Sequence, residues 1–208
     1  MTRRKVVSLA AAAGSAAALG AGGYWLYRSF SSADLMQTGP LGEQALGDPK
    51  APVTVIEYAS LTCPHCARFA REVFPKLDEQ YIRAGKVRFI LREFPFDMLG
   101  AGVFALAHCA AKDNYFAVVD KLFETQPTWL VDQPIAPLRT VFHDLGLTDA
   151  TFDACLDDQK VVDGISWVRD RAYSEFKVNA TPTFFINRKM YVGGMSFDEL
   201  DKIIQQLT

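Results

Sequence analysis

Residues 53–69 read VTVIEYASLTCPHCARF, and this stretch decides the fold. Apolar side chains occupy both faces of its first seven residues, a pattern typical of a strand in the centre of a sheet. Cys63 and Cys66 follow at once, and a run with helical spacing comes next. The stretch therefore places a cysteine pair between a buried strand and a helix.

The elements that follow predict an α/β fold. Apolar residues between Cys66 and Ala84 recur every three or four positions, which predicts a helix that ends at Gly85. Residues 86–94, KVRFILREF, predict a second strand. A strand–helix–strand unit implies two parallel strands joined by a crossover helix.

Residues 98–176 contain no convincing strand, and successive apolar stripes predict helices throughout. Strand signals return in TPTFFIN (181–187) and KMYVGG (189–194), and a last helix runs through Phe197 to Leu207. We therefore predict that residues 51–97 and 177–208 form one α/β domain. Residues 98–176 would form a helical domain inserted between its two halves.

The N-terminus predicts export. MTRRK is basic, and residues 6–27 carry no charge and are rich in Ala and Gly. A basic start followed by an apolar stretch is typical of an export signal, here residues 1–33. Residues 34–50 are polar and contain glycines and prolines, so they are predicted to be a linker.

The export route and the fate of the signal stay open. Arg3-Arg4 resembles the twin-arginine signal, but ordinary secretory signals also begin with basic residues. The small residues before Asp34 offer a cleavage point, and the alternative is an uncleaved membrane anchor. In either case we expect the folded part to lie in the periplasm, where disulfides persist.

Composition excludes one broad function class. The chain has 208 residues, half of them hydrophobic, which is enough for a sizeable core. Lys and Arg together number 22 and Asp and Glu 24, with no basic cluster beyond the extreme N-terminus. The sequence therefore gives no indication of nucleic-acid binding.

The cysteine pair allows three interpretations. Zinc sites usually take four protein ligands, but the other cysteines, Cys109 and Cys155, stand far apart, and no His pair accompanies them. A purely structural disulfide across two residues would constrain the unfolded chain little. A pair that is oxidised and reduced as part of the function is the favoured interpretation.

The strand-to-helix setting gives the two thiols different roles. Unpaired amides and the helix dipole favour negative charge on Cys63, and Pro64 is tolerated in the first turn. A protonated His65 would lower the pKa of Cys63 further. Cys66, one turn into the helix, should be shielded and act as the resolving thiol.

These residues resemble the DsbA-type thiol:disulfide oxidoreductases of the thioredoxin superfamily, particularly those of alphaproteobacteria. The resemblance rests on Cys63-Pro64-His65-Cys66, on Glu57 upstream and on Thr181-Pro182, and it covers most of residues 48–208. It implies a thioredoxin-like fold with an inserted helical domain. It also implies a catalytic disulfide between Cys63 and Cys66.

The resemblance assigns roles to further residues. Pro182 would be a cis-proline beside the catalytic pair, and Thr181 would bind substrate backbone. Glu57 would lie beneath the pair and move protons to or from the buried thiol; the alternative is a carboxylate exposed at a strand end. A second, structural disulfide would join Cys109 and Cys155, although two separately buried thiols remain an alternative.

We therefore expect a monomeric periplasmic enzyme that transfers its disulfide to reduced exported proteins. The resemblance implies re-oxidation by a quinone-linked membrane protein of the DsbB type, and it implies no organic cofactor or metal. Isomerases and reductases of the same fold carry Thr at the position of Thr181, so the direction of electron flow stays open. A chaperone or binding module with incidental cysteines is the more distant alternative.

Overall fold

The computed structural model describes residues 32–111 and 114–208, so the predicted export signal lies almost entirely outside the described residues. In this part of the chain, one mixed sheet has the strand order β1-β3-β2-β4-β5. The strands are β1 (Gln44–Leu46), β2 (Val53–Ala59), β3 (Val87–Glu93), β4 (Thr183–Ile186) and β5 (Lys189–Val192). β2 and β3 are parallel, as predicted, and the other neighbours are antiparallel.

Helices pack on both faces of this sheet. They are α1 (Ser32–Leu35), α2 (Pro64–Glu72), α3 (Phe74–Leu77), α4 (Met98–Ala110), α5 (Tyr115–Glu124), α6 (Gln126–Trp129), α7 (Ile135–Asp144), α8 (Asp149–Leu156), α9 (Gln159–Ser174) and α10 (Phe197–Gln205). Val55 on β2 belongs to the larger apolar cluster, which contains residues of α2, α4, α5 and α10, whereas Ile56 belongs to the cluster around α9. β2 is therefore buried on both faces, as its sequence predicts.

The segment predicted to be a linker is part of the fold. Leu35 is 1% exposed and belongs to the cluster on the α9 side of the sheet. β1 adds an antiparallel edge strand to β3, and Glu43 forms an ion pair with the nearly buried Arg92 at 3.2 Å. A three-residue strand is too short to give a periodic signal, which is why the linker prediction for residues 34–50 is wrong here.

The helix predicted from Cys66 to Ala84 is interrupted. α2 ends at Glu72, α3 spans only one turn, and a π-helical turn follows at Asp78–Ile82. Pro75 has no N–H to donate to the preceding turn, and its ring crowds that turn. The apolar spacing continues across this segment, so it predicts helical structure there but not the break.

Two further features hold distant parts of the chain together. The β4–β5 hairpin turns at Asn187, which has a φ of 52° and accepts a hydrogen bond through Oδ1 from the Thr54 N–H at 2.8 Å. Cys109 on α4 and Cys155 on α8 form a disulfide.

Within the described ranges, no helix combines the length and apolar content that a membrane span requires.

Candidate functional site

Cys63 and Cys66 lie where β2 gives way to α2. Cys63 is the N-cap residue of α2, with φ −85° and ψ 122°, and Pro64 occupies the first helical turn. The unpaired N–H groups of that turn point towards the end of the helix that carries the Cys63 thiol. Both cysteines are free thiols in the structure.

The Cys63 thiol is half-buried and is acidic for a cysteine. Its Sγ donates a hydrogen bond to the backbone oxygen of Thr181 at 3.3 Å. A hydrogen bond from the Cys66 thiol is the largest cause that lowers the pKa of Cys63, to about 5, with further lowering from Thr181 and from the N–H groups of Cys66 and His65. Burial acts in the opposite direction and is outweighed.

Cys66 and Glu57 form the buried half of the site. Cys66 is 0% exposed, and burial raises its pKa well above the usual value, followed by the interactions with Cys63 and with the Glu57 charge. Glu57 on β2 is 4% exposed, and burial, together with the charge on Cys63, raises its pKa well above that of a surface carboxyl. The carboxyl group lies inside the fold, where the protonated form is favoured.

His65 lowers the pKa of Cys63 through its backbone N–H, and its side chain lines the neighbouring surface. The side chain is exposed and lines a depression of about 420 Å³ beside the pair, while the N–H contributes to the low pKa of Cys63. Other lining residues are Arg68, Phe69, Glu72, Val73, Gly194, Met195 and Ser196. This side of the site is therefore charged as well as apolar.

The loop before β4 forms the opposite wall. The Thr181–Pro182 peptide is cis, and Thr181 is nearly buried. The Pro182 carbonyl accepts a hydrogen bond from the Gly193 N–H at 2.8 Å, which ties this loop to the end of β5. Thr181 and Cys63 are thus brought into contact from positions 118 residues apart.

A second depression, of about 330 Å³, borders the same loop. It reaches Asn179, two residues before Thr181. Phe96 and Tyr173 contribute exposed aromatic rings to its wall. Arg169 and Asp170 line it as well, so this surface carries aromatic and charged side chains together.

Gln126 on α6 was not identified from the sequence. Its side chain is 5% exposed, and its Nε2 donates hydrogen bonds to the carbonyl oxygens of Leu61 at 2.7 Å and Cys63 at 3.2 Å. The helical segment thereby fixes the loop that carries the cysteines. A lone glutamine in a helical stretch gives no sequence signal for this role.

Two thiols of such different acidity, held at a helix N-terminus opposite a cis-proline, define a dithiol–disulfide exchange site of the thioredoxin type. Within residues 32–111 and 114–208, no group of three or more His, Cys, Asp or Glu side chains could hold a metal ion. A family model described as Thioredoxin matches residues 41–206. The chain belongs to the thioredoxin family, among its DsbA-type members.

Similar proteins support this placement. Alpha-DsbA1 from Wolbachia pipientis has 33% sequence identity and a TM-score of 0.77, over 85% of this chain and 96% of that chain. A relative from Rickettsia bellii named "Putative protein-disulfide oxidoreductase" is 31% identical over 147 residues, 70% of this chain. Disulfide bond formation protein D of Bacillus subtilis is 27% identical over 173 residues, 79% of this chain and 77% of its own length.

These matches confirm the predicted fold class, a thioredoxin-like fold with an inserted helical segment. The match covers 57% of the Rickettsia bellii relative, so little more than half of that protein is represented here. The activity, substrates and partners of this chain therefore do not follow from that relative's name.

Proposed function

We propose that this protein is a periplasmic thiol:disulfide oxidoreductase that transfers a Cys63–Cys66 disulfide to exported proteins as they fold. One observation carries the proposal: the pKa of Cys63 is lowered to about 5, while that of Cys66, three residues away, is raised. A thiol of low pKa is a good leaving group, so a mixed disulfide between Cys63 and a client is readily resolved by the client's second thiol, and the reduced enzyme is stabilised by the thiolate.

The exchange needs two steps. A client thiolate attacks the Cys63 sulfur of the oxidised pair, and Cys66 leaves and takes up a proton. The second client thiol then attacks the client sulfur of the mixed disulfide and releases Cys63 as a stable thiolate. The client leaves oxidised, and the enzyme holds two thiols and the two electrons.

Re-oxidation requires a partner that accepts two electrons. A membrane protein of the DsbB type suits this step, because the half-buried, ionised Cys63 can attack a partner disulfide and Cys66 can then displace the partner. No metal or organic cofactor takes part in either half of this cycle, and the enzyme acts as a monomer.

The exchange is tested with a reduced, unfolded model protein and the oxidised enzyme. We expect stoichiometric oxidation by the natural chain and none by Cys63→Ser. Cys66→Ser cannot form the disulfide and should not oxidise the model protein either. With a disulfide-bonded peptide instead, its Cys63 thiolate should displace one peptide thiol and remain in a mixed disulfide, because the resolving thiol is missing. Oxidation by Cys63→Ser at the natural rate would contradict the proposal and favour a binding module with incidental cysteines.

The location is tested separately. We expect the protein in the periplasmic fraction, with a mature N-terminus at or near Asp34 by mass spectrometry. Intact Met1 in the membrane fraction would instead establish a retained anchor.

The second candidate is an isomerase or reductase of the same fold. Thr181 favours it, because isomerases and reductases of this fold carry Thr before the cis-proline, and Thr181 contacts Cys63 here. The reduction potential of the pair distinguishes the two directions.

A further inference from the structure

The catalytic cycle requires protons to reach the buried Cys66 thiol. Cys66 takes up or gives up a proton whenever its bond with Cys63 breaks or forms, and both Cys66 and the neighbouring Glu57 are shielded from solvent. Oε1 of Glu57 is buried and has no hydrogen-bond partner among the described residues. A buried polar atom without a partner is uncommon, and a bound water often supplies the missing bond.

A small cavity adjoins Glu57. It has a volume of about 20 Å³, and about 10–15 Å³ by this measure is enough for one water molecule. Its walls are mostly apolar, and its polar lining residues are Glu57 and Asp120 on α5. The remaining lining residues are Phe69, Ala70, Phe74, Phe89, Leu91, Phe116, Val119 and Phe123. A water here would have the two polar partners that it needs.

Asp120 also reaches the surface. It lines an open depression of about 450 Å³ between α2 and α5, and the residue is exposed there. Ala70, Phe74 and Phe123 are shared by this depression and the inner cavity. Asp120 therefore lines both the open depression and the small cavity beside Glu57.

The charges around Asp120 suit a group that exchanges protons. Burial of its inner side, followed by the Asp78 carboxylate, raises the pKa of Asp120. Arg71 on α2 and Lys121 and Glu124 on α5 line the same depression, but Arg71 donates to the Phe123 carbonyl and Lys121 pairs with Glu124. The two cations thus have other partners.

We propose that Asp120 is the outer end of a proton route that runs through one water in this cavity to Glu57 and on to Cys66. When a client thiolate attacks Cys63, Cys66 leaves with the electron pair of the broken S–S bond and takes the proton of Glu57. Glu57 is then reprotonated by the water, the water by Asp120, and Asp120 by solvent. Re-oxidation of the pair runs the same transfers in reverse.

This inference rests on the proposed function, and its test starts from the oxidised natural enzyme. The rate at which it oxidises a reduced cysteine peptide is followed against pH in H₂O and D₂O. We expect Asp120→Asn to slow the reaction about tenfold at the acidic end of the profile, where the natural Asp120 carries its proton, and less at alkaline pH, where that carboxyl is ionised. The loss is smaller than that of a direct acid because solvent can still supply protons. The solvent isotope effect should rise, since proton delivery then limits the rate.

Glu124→Gln is the matched control, because Glu124 lies on the same helix and lines the open depression but not the cavity. It should keep the natural rate and isotope effect. A small carboxylic acid in the buffer should restore the rate of Asp120→Gly, which a merely structural defect would not allow.

A cavity-filling variant tests the water itself. Ala70→Leu places extra carbon atoms at a position that lines both spaces and leaves every charge unchanged. We expect it to reproduce the rate loss of Asp120→Asn at the acidic end of the profile without rescue by added acid. Natural behaviour of Asp120→Asn at every pH, or of Ala70→Leu, would overturn the route and leave disulfide exchange intact. Failure of the natural enzyme to oxidise the peptide would instead overturn the proposed function.

Discussion

At the scale of single residues, the two thiols of the motif differ because of where their sulfur atoms lie. Cys63 is half-buried at the helix N-terminus, and the neighbouring Cys66 thiol can donate a hydrogen bond to its thiolate. Cys66 lies inside the fold beside the Glu57 carboxyl, where a second negative charge is unfavourable. The reduced enzyme therefore stores one stable thiolate, which favours oxidation of the client.

The first prediction concerns this thiolate. The ultraviolet absorbance of the reduced protein should report one thiolate that appears with a midpoint near a pKa of about 5. The oxidised protein and Cys63→Ser should show no such transition. A midpoint above about 8, the range of an ordinary cysteine, would contradict the assigned environment.

The same shift predicts how stability depends on pH. The folded pKa of Cys63 lies below the unfolded value, so this thiol stabilises the reduced protein above the unfolded pKa. The contribution is lost as pH falls from about 8.5 towards the folded value of about 5. Urea unfolding of reduced protein should show this loss relative to reduced Cys63→Ser, measured in parallel; equal pH profiles would count against it.

At the scale of elements, the active-site loop is held from both sides by segments distant in sequence. The loop before β4 contacts Cys63 through Thr181, and Gln126 on α6 binds the Leu61 and Cys63 carbonyls. The inserted helices thus supply a rigid support for the cysteines. The residues next to the cysteines in the sequence do not predict this support.

Gln126→Glu tests that support with little change in shape. The new carboxylate would face two carbonyl oxygens and remove their donor, so the free energy of unfolding should fall by about 1–3 kcal/mol. The negative charge should also raise the pKa of Cys63 in the thiolate titration. Gln133→Glu, at an exposed loop position, is the control, and equal effects of the two variants would refute a specific role for Gln126.

The elements that sequence predicted are those with long, regular patterns. β2, β3, the β4–β5 hairpin and the helix starting at Pro64 lie where their spacing placed them. β1 was not predicted because three residues are too few to show a period, and because its partner strand, β3, is more than 40 residues away. The interruption of the predicted helix near Pro75 was not predicted, because the apolar stripe continues across it.

The site divides in the same way. The Cys63–Cys66 pair and its setting at a helix N-terminus could be inferred from local residues and elementary electrostatics. The partnership with Thr181 needed a family resemblance, because 118 residues separate the two positions. Gln126 and Asp120 could not be inferred, since only the packing of α5 and α6 brings them close to the cysteines and Glu57.

At the scale of the whole molecule, the Cys109–Cys155 disulfide joins α4 to α8 across a separation of 46 residues. In the chain-entropy description, opening such a loop destabilises the fold by about 4 kcal/mol. Cys109→Ser with Cys155→Ser should lower the free energy of unfolding by an amount of this order, measured by urea unfolding. The Cys63 titration should stay unchanged; a large shift in it would show that this bond also shapes the active site.

The reduction potential of the Cys63–Cys66 pair decides whether the protein is an oxidase. It is measured by equilibrating the protein with glutathione buffers and quantifying free Cys63. We expect an oxidising value near that of the DsbA from which the class takes its name, about −120 mV. A value near that of thioredoxin, about −270 mV, would contradict it and identify a reductant.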